Sequence, residues 1–461
     1  MTYHGKNELI GYLTRLDVMK SLLLLLLTKL SGRDFKEELR IIESINEGEI
    51  DLEDFIEGSL RNLLIHSYDK VRYYRPVLEE AGVIKDGEVF LQNFSKVRIL
   101  SRLEVQDRFQ DLLSKDIASR KYYTDATGGS MGRPIRIVKD LSSYRWAKAA
   151  EFFYYDRFIG VNETLSKKVV IWGYARELLQ GISIRDKIAY YLTNTLYLNA
   201  YLLDEDRLRK IVRKINNYKP DILRGFSSFL YMLGRYILEN NLEVHSPKAV
   251  ISTAETLTSH RRRVIEDAFG AKVHNFYGAT EAPSIAGECS RGSMHVFSFN
   301  NLVEILDNEG DPVPEESLGR VIITPLHNYA MPLIRYEIGD MAIARYRKCS
   351  CGSTLPTLGN VSGRIMEFVV RRDGTLLSGE FFDGVFQSEE WVSEFQVIQE
   401  DYDLLRILIV PREKSGMNLD IPHKKILSVM GEDCKIKWEI VDEIPKPPSG
   451  KHLYVRSLVT R

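Results

Sequence analysis

Residues 121–134, KYYTDATGGSMGRP, hold the densest set of residues suited to gripping an anion. Two tyrosines and a threonine predict a strand that runs into Thr127, Gly128, Gly129, Ser130, Met131, Gly132, Arg133 and Pro134. Its closely spaced glycines permit positive φ and close approach to a ligand. Thr127 and Ser130 add hydroxyls, and bare N–H groups in such a turn point inward at an anion. The chemistry this suits is phosphate binding. The Walker pattern is absent, because Gly132 is followed by Arg133 and Pro134 and not by Lys and a hydroxyl residue. The dinucleotide spacing G-x-G-x-x-G is absent as well. Taken alone, the turn fits a plain strand connection equally well, and the rest of the chain has to decide.

A second set carries metal chemistry. Cys289 and His295 lie close together, and Cys349-Ser350-Cys351-Gly352 places two thiols about one turn. Three thiolates and an imidazole form a closed tetrahedral set of the structural zinc kind. The C-x-C turn before a glycine resembles a zinc knuckle, although C-x₂-C is the commoner spacing. The competing reading makes these cysteines small buried hydrophobes. Cys434 is left over and is expected to pack in the tail of the chain.

The elements that must position these groups are legible in outline. The chain has 461 residues, 44% hydrophobic and 28% charged, with a net charge of −1. That length suits two or three domains, and the charge balance offers no basic field for nucleic acid or anionic membrane. The longest apolar run, 22–27, is far short of the roughly 20 residues of a bilayer span. Four cysteines argue against a disulfide scaffold and for a reducing, cytoplasmic compartment. Residues 1–75 read as helical from Leu9, Leu13, Leu16 and Met19; Tyr73 to Pro76 break the pattern, and a further helix begins at Val77. Short apolar runs at 168–173, 220–225 and 249–253 alternate with amphipathic stretches at 203–217 and 229–239, the texture of an α/β fold built on a mostly parallel sheet. Ligands of such sheets sit beyond the carboxyl ends of the strands, here Phe226-Ser227, Ala254-Glu255 and Asn275-Phe276-Tyr277-Gly278. From about 294 to 365 no helical period is visible, which predicts a β-rich module packed on the sheet domain. Strands near 368–371, 394–399, 405–410 and 435–441 predict a small α+β domain at the C-terminus.

Five segments in order carry a resemblance: TGGSMGRP, then YGATE from Tyr277 to Glu281, RYEIGD from Arg335 to Asp340, Gly363-Arg364, and Pro448-Ser449-Gly450-Lys451. Together they resemble the adenylate-forming superfamily of acyl-CoA synthetases, adenylation domains and luciferases. Within it the chain is similar to the phenylacetate–CoA ligase branch with its capsular-polysaccharide (CapK-like) homologues, from about Tyr73 onward. The resemblance implies a large N-terminal domain, 1–365, and a small mobile C-terminal domain, 366–461. It implies ATP and Mg²⁺ as ligands, and a carboxylic acid that attacks the α-phosphate to give an acyl-adenylate and pyrophosphate. Thr127, Gly128, Gly129, Ser130 and Gly132 would wrap the β- and γ-phosphates. Tyr277, with Asn275 and Gly278 beside it, would lie against adenine, Thr280 would donate to the α-phosphate, and Glu281 would hold Mg²⁺. Asp340 would accept from both ribose hydroxyls and Arg364 would reach ribose and phosphates. Lys451 would swing onto the transition state from the tail domain. Similar Cys…His…Cys-x-Cys arrangements in the branch add weight to zinc at Cys289, His295, Cys349 and Cys351.

The acyl acceptor implied is coenzyme A. An amine acceptor, on an amino sugar or amino acid, is the first alternative, and a non-catalytic nucleotide-binding homologue the second. The hinge departs from the pattern: many relatives have Gly-Arg-x-Asp-Asp where this chain has Gly363-Arg364-Ile365-Met366-Glu367. That departure weakens the transfer of thioester chemistry more than that of adenylation. The acid pocket is expected to draw on Phe226, Ser227, Ala254 and Phe276, which permit an aryl acid without requiring one. Oligomeric state stays open, a homodimer included.

Overall fold

The computed structural model describes residues 20, 23, 26–126, 135–172, 183–199, 205–345, 347, 349–364, 368–373, 376–378, 381–382, 385–386, 389, 391–412, 417–445 and 454–459. The N-terminal part is helical: α1 (Lys36–Asn46), α2 (Leu52–Lys70), α3 (Tyr74–Glu80) and α4 (Arg102–Asp107). Pro76 does not break the helix as expected. It sits in the first turn of α3, where a missing N–H leaves no bond unmade. α4 starts with a capping box in which the Ser101 hydroxyl accepts from the Glu104 amide and the Glu104 carboxylate accepts from the Ser101 amide.

Strands β1 (Tyr122–Ala126) and β2 (Arg136–Asp140) form an antiparallel hairpin around residues 127–135. Asp140 closes β2 and caps α5 (Leu141–Phe153), accepting from the Ser143 amide at 3.1 Å. The alternation follows: β3 (Lys168–Trp172), α6 (Ile184–Leu192), β4 (Thr195–Asn199), α7 (Glu205–Tyr218), β5 (Ile222–Phe226), α8 (Ser227–Glu239), β6 (Ala249–Thr253), α9 (Ser259–Phe269) and β7 (Val273–Tyr277). Strands β8 (Ala286–Glu288), β9 (Met294–Val296), β10 (Asn301–Leu306), β11 (Leu318–Pro325), β12 (Tyr336–Ala344) and β13 (Thr357–Arg364) complete this part.

One sheet runs β10-β11-β12-β13-β9-β8-β7-β6-β5-β3-β4. The half from β4 to β7 is parallel, whereas β7–β8, β8–β9 and β9–β13 pair antiparallel. The β-rich stretch is therefore no module packed on the sheet, as the sequence reading had it. It continues the same sheet, because the chain turns straight back from β7 into β8 through the Ala279 amide to Ala282 carbonyl bond at 3.1 Å.

Helical layers cover both faces. In α7, Leu208, Ile211, Val212 and Ile215 recur on one side and are buried with α8 and α9 against β3, β5 and β6. Gly234 lets α8 meet α9, since a Cβ there would stand 3.3 Å from the Ala268 methyl. On the other face, Ile42 and Ile45 of α1 pack with Trp146, Phe153 and Tyr154 at α5. β6 is buried at every position, as a strand between two helical layers must be.

The chain divides into two compact units, the smaller being Val361–Arg461 with Gly339–Ala342 counted to it. Its four-stranded sheet has the order β16-β15-β14-β17, from β14 (Val392–Asp401), β15 (Leu404–Pro411), β16 (Lys435–Ile440) and β17 (Val455–Ser457). Helix α10 (Asp420–Met430) contributes Ile426 to a core with Val397, Leu405, Ile407, Ile409 and Cys434. Among the described residues no helix is long and apolar enough to cross a membrane.

Candidate active site and metal centre

The carboxyl ends of β5, β6 and β7 lie level. Phe226 pairs with Thr253, and Thr253 with Phe276. Behind β5, the Ser228 amide donates to the Glu255 carboxylate at 2.7 Å and ties this strand end to that of β6. The Asn275 amide donates to Glu288 at 2.8 Å, and Glu288 is held in turn by Arg262 at 2.8 Å. Gly278 sits in a tight place, where a Cβ would stand 3.1 Å from the Ser284 nitrogen. Ala254 takes a left-handed φ of 67°, which turns the chain sharply out of β6. Ser227 is fully buried, Phe226 packs on Trp172 with ring centroids 4.2 Å apart, and Phe276 is buried against Tyr154 at 5.0 Å.

Glu281 is buried at 5% exposure. The Tyr336 hydroxyl donates to it at 3.4 Å, and the Arg102 guanidinium from α4 lies 3.8 Å away. Burial and the neighbouring Glu281 carboxylate hold the Tyr336 phenol well above its ordinary range, so it stays a donor. Beside this turn, the Lys139 ammonium of β2 donates to the Thr280 carbonyl at 2.9 Å and pairs with Asp125 of β1 at 2.6 Å. Both strands flanking the glycine-rich segment are thereby fastened to the turn that carries Thr280 and Glu281. The hairpin is held from below too, since the Asn328 side chain donates to the Val138 carbonyl at 3.0 Å and the Tyr329 amide to Asp140 at 3.1 Å.

Asp340 lies on β12, half-buried, and Arg364 is the last residue of β13. Thr127, Gly128, Gly129, Ser130, Gly132, Met366 and Lys451 lie outside the described residues. Lys139, Arg102 and Glu288 escaped the sequence reading, and Tyr336, inside the RYEIGD segment, was given no role there. The one signal available was a lysine at position 139 in the apolar strand around Ile137 and Val138.

The cysteine and histidine set does come together. The ligating atoms of Cys289, His295, Cys349 and Cys351 all lie within 4.8 Å of one another. Cys289 follows β8 and His295 lies in β9, both fully buried, while Cys349 and Cys351 come from the loop between β12 and β13. The Cys289 and Cys349 sulfurs are 3.7 Å apart, and a tetrahedral zinc with bonds of about 2.3 Å sets sulfurs about 3.8 Å apart. The His295 Nδ1 faces the Leu355 carbonyl at 3.1 Å. A carbonyl only accepts, so Nδ1 carries the proton and Nε2, 3.2 Å from the Cys351 sulfur, keeps its lone pair. Backbone amides of Arg291 and Cys351 donate to the Cys289 and Cys349 sulfurs, each at 3.4 Å. The donor set, spacing and tautomer all fit a structural zinc ion.

Comparison with known proteins adds four likenesses. Residues 369–457 match the family described as the CapK C-terminal domain. Protein CapK of Staphylococcus aureus is 24% identical over 388 residues, spanning 82% of this chain and 83% of that protein. A phenylacetate-coenzyme A ligase of Thermus thermophilus is 23% identical, over 74% of this chain and 77% of its own. In fold, the chain is similar to the crystal structure of a 2-hydroxyisobutyryl-CoA ligase in the postadenylation state with R3-HIB-AMP, at a TM-score of 0.68 and 18% identity, covering 88% of this chain and 89% of that one.

Proposed function

We propose that this chain, which belongs to the phenylacetate–CoA ligase and CapK-like branch of the adenylate-forming enzymes, is an AMP-forming acid–thiol ligase. A carboxylate attacks the α-phosphate of ATP and pyrophosphate leaves. The thiol of coenzyme A then attacks the acyl carbonyl and AMP leaves. Both steps crowd negative charge, so catalysis rests on positioning and on donors aimed at that charge.

The observation that carries this reading is the Lys139 bridge. It ties the hairpin around the glycine-rich segment to the Thr280–Glu281 turn, the two segments that must share one triphosphate. In this reading the backbone N–H groups and hydroxyls of Thr127 to Gly132 cradle the β- and γ-phosphates. Tyr277 covers adenine, and Thr280 donates to the α-phosphate. Asp340 takes the ribose hydroxyls and Arg364 the ribose and phosphates, while Lys451 meets the charge that grows on the phosphoryl oxygens. Glu281 would hold Mg²⁺ as a hard oxygen ligand, in competition with Arg102. Cys289, His295, Cys349 and Cys351 would hold zinc, which supplies a cross-link and no step of the reaction. The acid sits beyond Phe226, Ser227, Ala254 and Phe276. Four unpaired thiols favour a reducing, cytoplasmic setting.

The test is pyrophosphate release across a panel of acids, with and without coenzyme A. Acid-dependent release together with thioester supports the reading. Release that yields amides with added amines and no thioester would assign the amine acceptor in its place. No release with any acid, ATP and Mg²⁺ would favour the non-catalytic homologue.

A further inference from the structure

A cavity of about 180 Å³ opens on the α5 face of the large sheet, and its Arg224 lies over the ring of Phe276, 5.2 Å from the centroid. Its floor is Lys168 and Val170 of β3, Thr195 of β4, and Ile222 and Arg224 of β5. Lys168, Thr195 and Ile222 are the first residues of their strands and pair with one another in register, which places the cavity toward the amino ends. Its wall is Lys148 and Glu151 of α5, with Tyr155 and Glu163 beyond.

The charges lining it do not balance. Lys148 pairs with Glu151 at 2.5 Å, Arg224 pairs with the other oxygen of the same carboxylate, and Lys168 pairs with Glu163 at 2.6 Å. Three cations thus share two carboxylates. The Arg224 guanidinium also donates to the Tyr155 hydroxyl at 3.4 Å. Lys148 and Arg224 hold the Glu151 carboxyl far below its usual range against the cost of burial, so this arrangement stays ionised at neutral pH. Arg224, in the middle of a parallel strand and only 22% exposed, has half a carboxylate as counter-charge. One small anion would complete it.

We propose that this cavity is a second ligand site, specific for a small singly charged anion of the carboxylate or phosphate class. A cavity of this volume holds several waters, so it has room for such an anion. Arg224 and Lys148 supply charge-assisted hydrogen bonds, and Tyr155 a hydroxyl.

The test is isothermal titration of the full chain with inorganic phosphate and, separately, with acetate, at constant ionic strength. A saturating non-hydrolysable ATP analogue is present throughout, so that any nucleotide-loop site is filled. Saturable binding of either probe is expected, and which probe binds assigns the anion. Arg224→Met and Lys148→Met each raise Kd by about tenfold, the loss of one charge-assisted hydrogen bond. Tyr155→Phe, which keeps the ring, weakens binding by about threefold and covers the case in which the charge variants fail to fold. Absence of saturable heat with both probes, or a Kd unchanged in all folded variants, overturns the site. Neither outcome bears on pyrophosphate release, so failure here leaves the proposed ligase activity standing.

Discussion

Replacing Lys139 by methionine isolates the bridge on which the active-site reading depends. Methionine keeps an apolar stem and removes the charged head, together with its contact with the Tyr123 ring, whose centroid lies 5.2 Å from the ammonium. Asp125 is 43% exposed and can turn to water, so its lost partner costs little. The Thr280 carbonyl loses a charge-assisted bond of 2.9 Å, worth about 1.5–3 kcal/mol, offset in part because the buried ammonium at 5% exposure no longer needs to be desolvated. Denaturant unfolding should therefore show a loss of about 1–2 kcal/mol. Activity should fall much further. If the hairpin slips by about 1 Å, near-attack geometry at the phosphates is lost and kcat/KM for pyrophosphate release drops by about 100-fold, with Lys139→Arg recovering part of it. Steady-state kinetics beside unfolding curves separate the two effects. A variant that loses the stated stability but keeps kcat/KM within about twofold would refute the reasoning, because the bridge would then support the fold alone.

Three further outcomes are expected. Lys451→Ala should abolish acid-dependent pyrophosphate release while ATP binding by titration calorimetry stays close to wild type; an unchanged rate removes Lys451 from the chemical step. Purified protein should contain one zinc per chain by elemental analysis, reduced in Cys349→Ser; metal-free wild type rejects the centre. His327 is buried, stacked on Trp146 at 4.0 Å and bonded through Nε2 to the Phe299 carbonyl at 2.8 Å, and burial pushes its pKa down from 6.5 to about 4. The unfolded chain binds the proton first, so stability contributed by the neutral ring is complete above about pH 6.5 and declines by about 3 kcal/mol as the pH falls to about 4. Unfolding midpoints at pH 7 and pH 4.5 measure this, and His327→Gln should flatten the slope over that window.

What the sequence made legible follows the range of the forces involved. The stripe in α7 and the apolar runs of β3, β5 and β6 are local patterns, and they folded as their periods predict. The strands after Tyr277 were readable as strands, but their membership of the main sheet was not, because β9 pairs with β13 across a long stretch of chain. β2 and β4 went unrecognised: each is five residues long and mixes charged or polar with apolar positions. The metal set was found because cysteine is scarce enough for residue type alone to point there. Lys139 and Arg102 were invisible for the opposite reason: lysine and arginine are common, and Lys139 meets its partner carbonyl 141 positions away. Roles for residues 127–132, 275, 277, 278, 280, 281, 340, 364 and 451 rest on family resemblance.

The strand order has a consequence for how the polypeptide leaves the ribosome. Met294 and His295 pair with Leu358 and Thr357, so the β9 seam stays open while some sixty further residues are synthesised. Until then the nascent protein carries an unsealed sheet edge in the middle of its largest sheet, the kind of surface that recruits neighbouring chains. The thiols at 349 and 351 emerge just ahead of the strand that closes the gap, so the four-residue Cys and His set and that seam are completed within one short interval of translation.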